Sequence, residues 1–298
     1  MTLDVAVCTR DRPDDLRRCL VSVAAQTAPP RRVLVVNSGR PLTSLDGTAE
    51  VVESESGLPR QRNLALGLLD GDLVAFLDDD VELDTEYLEH VLQWFDEHPE
   101  TVGVSGSIDN DVPFSAASRY YRRMFSLSTG DGILRPSGDL IYLYHPGCPT
   151  RVDSLSGSNM VWRRSAIEPL QFDETLEGYA YMEDVDFSLR AGLRGDLWML
   201  SDAHLVHHKT QASRVPPRAY VRQVIENGAY LFGKHRRAYP LRATAYARRV
   251  VGRSTAYVAV AARTRSLEPL LGLAQGVAAV PAALRRGRRA SCVERAPD

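Results

Sequence analysis

An α/β fold, with a mostly parallel sheet sandwiched by helices and a C-terminal helical extension, is what this sequence predicts on three observations. Short β-branched runs alternate with longer segments of helical period over the first two-thirds of the chain. Polar residues cluster where those runs end, and from Ala212 onward the composition turns to Ala, Arg and Leu with helical spacing. The 298 residues, 44% hydrophobic and 25% charged, supply a sizeable core and exclude a disordered, collagen-like or disulfide-stapled chain.

Leu3 to Cys8 is the first predicted strand. A helix follows, with Pro13 at a first helical position, Asp11 in N-cap range, and Leu16, Cys19, Leu20 and Val23 on one face. It ends before Pro29-Pro30. Val33 to Val36 is an unbroken apolar strand entering the turn-forming Asn37-Ser38-Gly39, and Leu73 to Leu77 is another that runs into three aspartates. Ligands of open α/β sheets bind outside the carboxyl ends of strands, so these residues are the first candidates for a site. The stretch from Ile108 to Leu155, rich in Tyr, Pro, Gly and Arg, fits a specificity insertion or lid. Later, Val185, Leu189 and Leu193 form an apolar stripe that predicts a helix ending before Gly195. Val215-Pro216-Pro217 reads as a hinge. Beyond it Tyr220, Val224, Tyr230 and Leu231 line one helix face, and Tyr246, Val250, Val251, Tyr257 and Val258 another. The expected division is residues 1–211 and 212–298.

A net charge of −2 conceals an asymmetry. Up to Lys209 there are 19 Lys and Arg against 34 Asp and Glu; from Thr210 on there are 17 against 4. Only Lys209 and Lys234 are lysines, so the positive charge is guanidinium, suited to pairing phosphate and carboxylate. Cys8, Cys19, Cys148 and Cys292 lack Cys-x-x-Cys spacing and are too sparse for a disulfide framework, which points to a reducing, cytoplasmic compartment. The N-terminus reads as a strand and not a signal peptide, and the apolar stretch Pro269 to Leu284 is too short and interrupted to span a membrane.

Asp78-Asp79-Asp80 ends a buried strand, where mutual repulsion is costly unless a cation compensates. Hard divalent ions such as Mg²⁺ and Mn²⁺ prefer oxygen ligands and often bind through one or two carboxylates plus substrate phosphates. Asp78 and Asp80 would point the same way on a strand. The alternative is a loop in which Asp80 caps a helix beginning near Asp84 or Thr85.

The sequence Val5-Ala6-Val7-Cys8-Thr9-Arg10-Asp11-Arg12-Pro13, then Asn37-Ser38-Gly39, Arg60-Gln61-Arg62-Asn63 and Phe76-Leu77-Asp78-Asp79-Asp80-Val81 resembles, in order, the glycosyltransferase family 2 pattern. Leu155-Ser156-Gly157-Ser158-Asn159-Met160, Tyr181-Met182-Glu183-Asp184-Val185-Asp186 and His207-His208 continue it, so that the resemblance covers roughly Leu3 to Ser213. It implies a GT-A fold, a nucleotide diphosphate sugar donor, and inverting transfer to an acceptor hydroxyl on a glycan, a lipid-linked glycan or a small molecule. The implied donor-site residues are Thr9, Arg10, Arg12, Asn37, Arg62, Asp78, Asp79 and Gly157, with Asp80 and His207 as ligands of Mn²⁺ or Mg²⁺. Asn37 stands where the family commonly has Asp.

Inverting transfer also needs a base on the acceptor hydroxyl, separate from the group that stabilises the departing diphosphate. Asp184 matches the catalytic base of the motif, with Glu183 beside it as an acceptor-orienting carboxylate. Read without the resemblance, Glu183 and Asp184 cap a helix and Asp186 pairs Arg190 at i,i+4. Either His207 or His208 matches the family's metal-binding histidine, and His207 is the choice made here. His204 reads as an ordinary hydrogen-bonded histidine.

The basic extension has two readings of equal weight. Helices with apolar faces and guanidinium-rich flanks lie in membrane interfaces and are drawn to anionic lipid, which would put the protein at the inner face of the membrane. Alternatively they cover the catalytic domain or a second subunit in a homo-oligomer. No signature of nucleic-acid binding accompanies the charge. The competing functional classes are a sugar-phosphate nucleotidyltransferase, disfavoured because Thr9 to Asp15 contains no glycine, and a non-catalytic nucleotide-sugar binding module at a membrane.

Overall fold

The computed structural model describes residues 1–42, 49–176, 181–209 and 215–293, with the side chains of Cys292 and Val293 outside the description. Its elements in chain order are β1 (Leu3–Thr9), α1 (Pro13–Ala24), β2 (Arg32–Asn37), β3 (Glu50–Glu53), α2 (Leu58–Leu68), β4 (Leu73–Asp78), β5 (Val81–Leu83), α3 (Tyr87–Glu97) and β6 (Thr101–Ile108). Then follow α4 (Ala116–Met124), β7 (Thr150–Val152), β8 (Asn159–Arg163), α5 (Arg164–Ile167), α6 (Glu183–Ala191), β9 (Asp196–His207), α7 (Pro217–His235), α8 (Ala243–Thr264) and α9 (Glu268–Val293). Two compact units result, one of residues Met1–Val112 and Tyr142–Ala212, the other of Pro113–Ile141 and Ser213–Asp298. The boundary expected between 211 and 212 falls within residues 210–214, outside the described residues.

The first unit holds the α/β fold that the sequence predicts. Its sheet runs β3-β2-β1-β4-β8-β6-β9-β5, with β7 on β9. β3, β2, β1 and β4 are mutually parallel, and β8 enters antiparallel beside β4. All seven residues of β1 are buried because the sheet is covered on both faces. Val5 and Val7 join Leu16, Cys19 and Val23 of α1 on one side, while Ala6 and Cys8 join Ala65 of α2 and Phe187 of α6 on the other.

Pro13 opens α1 as predicted, and Leu16, Cys19, Leu20 and Val23 are its buried face. Asp11 does not cap it. Its carboxylate accepts the Arg40 backbone N–H at 2.9 Å and its own φ is +55°, so the side chain fastens the turn after β2 instead. Asp80 is no cap either, because β5 intervenes before α3 starts at Tyr87. The stripe assigned to the late helix stops short. α6 ends at Ala191, and Leu193 is exposed. Cys8, Cys19 and Cys148 are free thiols.

The second unit takes Pro113–Ile141 as well as the C-terminal helices. Asp139 explains why. It is buried, accepts from Arg253 at 2.8 Å and the Ser128 N–H at 2.8 Å, and lies 3.1 Å from Arg249 and 3.7 Å from Arg122. Burial raises a carboxylate pKa, but Arg253 and Arg249 outweigh it and hold Asp139 down to about 2. α7 and α9 lie side by side in the same direction, so closely that a Cβ at Gly287 would fall 2.0 Å from the Tyr230 carbonyl oxygen. Val224, Tyr230 and Leu231 are buried as expected, whereas the face assigned to α8 divides, with Val251 and Val258 exposed. No helix among the described residues is long and apolar enough to cross a membrane.

Candidate active site

The candidate site lies in the first unit, at the carboxyl ends of the parallel strands. Parallel register sets Cys8 beside Asp78, Thr9 beside Asn37, and Asn37 beside Glu53. Neighbouring strands are about 4.8 Å apart, so the strand ends from β4 to β3 form a row about 14 Å long. Gln61 on α2 ties the row together. Buried, it donates from Nε2 to the Thr9 carbonyl at 3.1 Å and the Val36 carbonyl at 2.7 Å.

β5 pairs antiparallel with β9 so that Val81 faces His207, which carries the His207 imidazole to Asp80. Nε2 lies 3.1 Å from Asp80 Oδ1. One ligand atom each of Asp78, Asp80 and His207 lie within 4.8 Å of one another. Burial lowers the pKa of His207, but the hydrogen bond to Asp80 and the charge of Asp78 outweigh it and favour the protonated ring. His208 bonds Glu82 at 3.0 Å and His204 bonds Asp109 at 2.8 Å, so of the two candidates that the sequence left open it is the His207 ring that stands beside Asp78 and Asp80.

Asp79 points elsewhere. It accepts the Thr9 hydroxyl at 2.7 Å and Arg12 Nη1 at 2.9 Å, with Arg12 also 3.6 Å from Asp80. Burial pushes Asp79 up to about 6 despite both partners. Asp78 is raised too, by burial and by the charge of Asp80, against the pull of Arg62. Among the described residues Asp78, Asp79 and Asp80 thus face Arg12, Arg62 and His207, and the oxygen-rich donor set with one imidazole suits a hard or borderline divalent ion.

Arg62 is 2% exposed and turned inward. It donates to Glu183, to the Gly157 carbonyl at 2.7 Å and, more loosely, to Asp78 at 3.4 Å, over the Phe172 ring. Asn63 next to it exchanges hydrogen bonds with the Phe172 backbone. Glu183 and Asp184 open α6, both buried. Burial and the charge of Asp184 raise the pKa of Glu183, with Arg62 opposing. Asp184 accepts the Gly157 N–H and the Val185 N–H, each at 2.8 Å. Gly157 is required here because a Cβ would fall 2.8 Å from Asp184 Oδ2 and 3.1 Å from Arg62 Nη2. Asp186 pairs Arg190 at 2.8 Å, the structural alternative foreseen for it.

Sequence reasoning missed two residues. The Tyr142 hydroxyl bonds Asp184, and burial together with that carboxylate pushes its pKa well above the ordinary value; its only signal was the aromatic stretch read as a lid. Gln61 was quoted within a motif without a role. At the far end of the row, Asn37 is buried, donates to Glu53 at 3.0 Å and accepts the Gly39 N–H at 3.0 Å. Arg10 is exposed and bonds Ser56.

The pattern described as glycosyl transferase family 2 matches residues 4–155, just over half of the 298 residues. The chain belongs to that family. Among solved structures it is similar to S. aureus TarS, with a TM-score of 0.52 and 19% identity over 96% of this chain and 55% of TarS. It therefore spans about half the length of that protein. It is also similar to the mannosyltransferase PcManGT from Pyrobaculum calidifontis in complex with GDP-Man and Mn²⁺, with a TM-score of 0.53 and 17% identity over 99% of this chain and 88% of that one. GalNAc-T7 with UDP, GalNAc and Mn²⁺ gives 0.53 and 15% over 85% and 54%. These likenesses establish the GT-A fold. No curated protein matches the chain by sequence.

Proposed function

We propose that this member of glycosyl transferase family 2 is an inverting, metal-dependent enzyme that moves a sugar from a nucleotide diphosphate sugar to an acceptor hydroxyl. The observation that carries the reading is the joining of two acidic centres through one buried path. Asp78 contacts Arg62, Arg62 holds the Gly157 carbonyl, and the N–H of the same residue holds Asp184.

Asp184 is the base. Its oxygens are fixed by two backbone N–H groups and the Tyr142 hydroxyl, which leaves acceptor-facing lone pairs in a set direction. As the acceptor oxygen attacks the anomeric carbon from the side opposite the leaving nucleoside diphosphate, its proton passes to Asp184; one displacement inverts the centre. Glu183 supports the base and, with Arg62, acts through position. Asp80 and His207, with Asp78 adjacent, would hold Mn²⁺ or Mg²⁺, which when bound offsets the charge of the departing diphosphate without proton transfer. Thr9, Arg10, Arg12, Asn37, Arg62, Asp78, Asp79 and Gly157 line the donor site, whose row of strand ends accommodates an extended nucleotide. The nucleotide-sugar complexes of TarS, solved with UDP-GlcNAc, and of PcManGT support that class of donor.

The family match favours sugar transfer over nucleotidyl transfer. We assign the enzyme to the cytoplasm, peripheral at the inner face of the membrane, with a glycan, lipid-linked glycan or small-molecule acceptor in cell-surface glycan or glycosylated natural-product biosynthesis. The test is Asp184→Asn, assayed for transfer and for donor binding. Turnover should fall by about 10²–10⁴-fold with donor affinity within a few-fold, and the wild-type product should carry the inverted anomeric configuration by NMR. Near-normal turnover in the variant would remove Asp184 from the mechanism.

A further inference from the structure

We infer that the outer faces of α8 and α9 form a docking surface for an anionic lipid bilayer. On α8, Arg248, Val251, Thr255, Val258, Ala262 and Arg265 recur at alternating spacings of three and four, which is one helix face, and all six are exposed. The buried residues of α8 are Ala245, Arg249, Gly252 and Ala261. On α9, Leu271, Ala274, Ala278, Pro281, Arg285 and Arg288 repeat the same spacing and are likewise exposed. Each stripe is uncharged through its middle and ends in guanidinium groups. In the middle of the α8 stripe the Thr255 hydroxyl is satisfied within the second unit, 3.2 Å and 3.0 Å from the carbonyls of Val251 and Gly252 and 2.6 Å from the Tyr121 hydroxyl of α4.

Between the helices, Arg265 adopts a left-handed φ of +51° that ends α8 and allows the chain to reverse into α9. Near this turn Val258 is 52% exposed, Val260 44%, Leu267 70% and Leu271 43%, and Val251, in the middle of α8, is 53% exposed. Such a patch rimmed by polar groups marks an interaction surface.

Charge identifies the occupant. Glu268 is the only acidic residue between Glu226 and Glu294. Among the described residues no carboxylate pairs Arg248, Arg263, Arg265, Arg285 or Arg288; the acid on α7, Glu226, is engaged by Arg222 and Arg286. A second copy of this chain presenting the same face would bring guanidinium against guanidinium. Anionic headgroups supply phosphate oxygens that match the guanidinium fork, and the acyl boundary beneath them takes the Val and Leu side chains. This deepens the peripheral placement proposed above and is independent of sugar transfer.

The test is co-sedimentation of the full chain with phosphatidylcholine vesicles, with and without phosphatidylglycerol, at low and high salt. Light scattering would report the oligomeric state and circular dichroism the fold. Binding should be at least about ten-fold stronger to the anionic vesicles and fall as salt screens the charges. Val258→Asp with Leu271→Asp should remove it by about ten-fold through the lost apolar contact, as should Arg248→Gln with Arg265→Gln through lost charge. Val21→Asp, at an exposed valine on α1, should leave it unchanged. Equal binding to both vesicles, or unaltered binding in the folded variants, would overturn the inference. So would a wild-type dimer that Val258→Asp dissolves in the absence of vesicle binding, since the face would then belong to a second copy.

Discussion

In the first unit, Asp78, Asp79, Asp80, Glu183 and Asp184 share a small region with Arg12, Arg62 and His207; in the second, a single Asp139 sits among Arg122, Arg249 and Arg253. Asp79, Asp80, Glu183, Asp184 and Asp139 are buried and Asp78 is half-buried, yet the shifted carboxylates of the two groups move in opposite directions. Asp78, Asp79 and Glu183 are raised, Asp79 to about 6, while Asp139 is held down to about 2. Burial acts the same way in each, so the difference lies in the neighbouring charges. Around Asp139, Arg253 and Arg249 outweigh burial, and the cluster holds the chain together. In the first unit neighbouring carboxylates add to the effect of burial, an arrangement that supports the metal and substrate site proposed above.

The contrast is most easily broken by Asp139→Asn. Removing one partner of a buried charge cluster leaves the arginines uncompensated, and a loss of about 3–5 kcal/mol is expected in denaturant unfolding. A loss under about 0.5 kcal/mol, the range of an ordinary surface substitution, would show that Asp139 is not the organising group. The same residue gives a pH dependence. Its folded pKa is depressed below the usual 3.8, so its contribution is present above about pH 4 and is lost as pH falls toward about 2. Stability of the wild type measured across this range should therefore drop more steeply than that of Asp139→Asn.

In the acidic cluster the sign reverses. Asp78→Asn relieves repulsion and should raise metal-free stability by about 1 kcal/mol, a gain that Mn²⁺ cancels because it stabilises only the wild type. Thermal unfolding in chelator and in Mn²⁺ measures both, and a destabilised metal-free variant would contradict the reading. The smallest effect belongs to Tyr142→Phe. Losing one hydrogen bond to Asp184 should lower kcat several-fold, by about 1 kcal/mol, with KM for donor unchanged. An unchanged kcat would remove Tyr142 from the positioning of the base.

Much of this was legible in the sequence because it is local. The β1 run, the Pro13 start of α1 and the strand entering Asp78-Asp79-Asp80 each follow from periodicity within a few residues. The candidate set at Asp78, Asp80 and His207 was legible through an ordered motif, although only the pairing of β5 with β9 distinguishes His207 from His208. What remained hidden depends on contacts distant in sequence. Arg62 meets Glu183 across 121 positions, and Asp139 meets Arg253 across 114, so neither inward turn has a local signal. Asp11 illustrates the converse. Its local cap signal was sound, and a backbone N–H at Arg40 competed for the same carboxylate.

The most direct test of the proposed metal and donor site is calorimetric binding of UDP-, GDP- and dTDP-sugars to the purified protein with and without Mn²⁺, repeated on Asp80→Ala and Asp139→Asn. One nucleotide class should bind in a Mn²⁺-dependent manner, with binding lost in Asp80→Ala and kept in any Asp139→Asn protein that remains folded. Absence of binding under every metal condition, or equal binding in Asp80→Ala, would contradict the assignment of Asp78, Asp80 and His207 as the metal and donor centre.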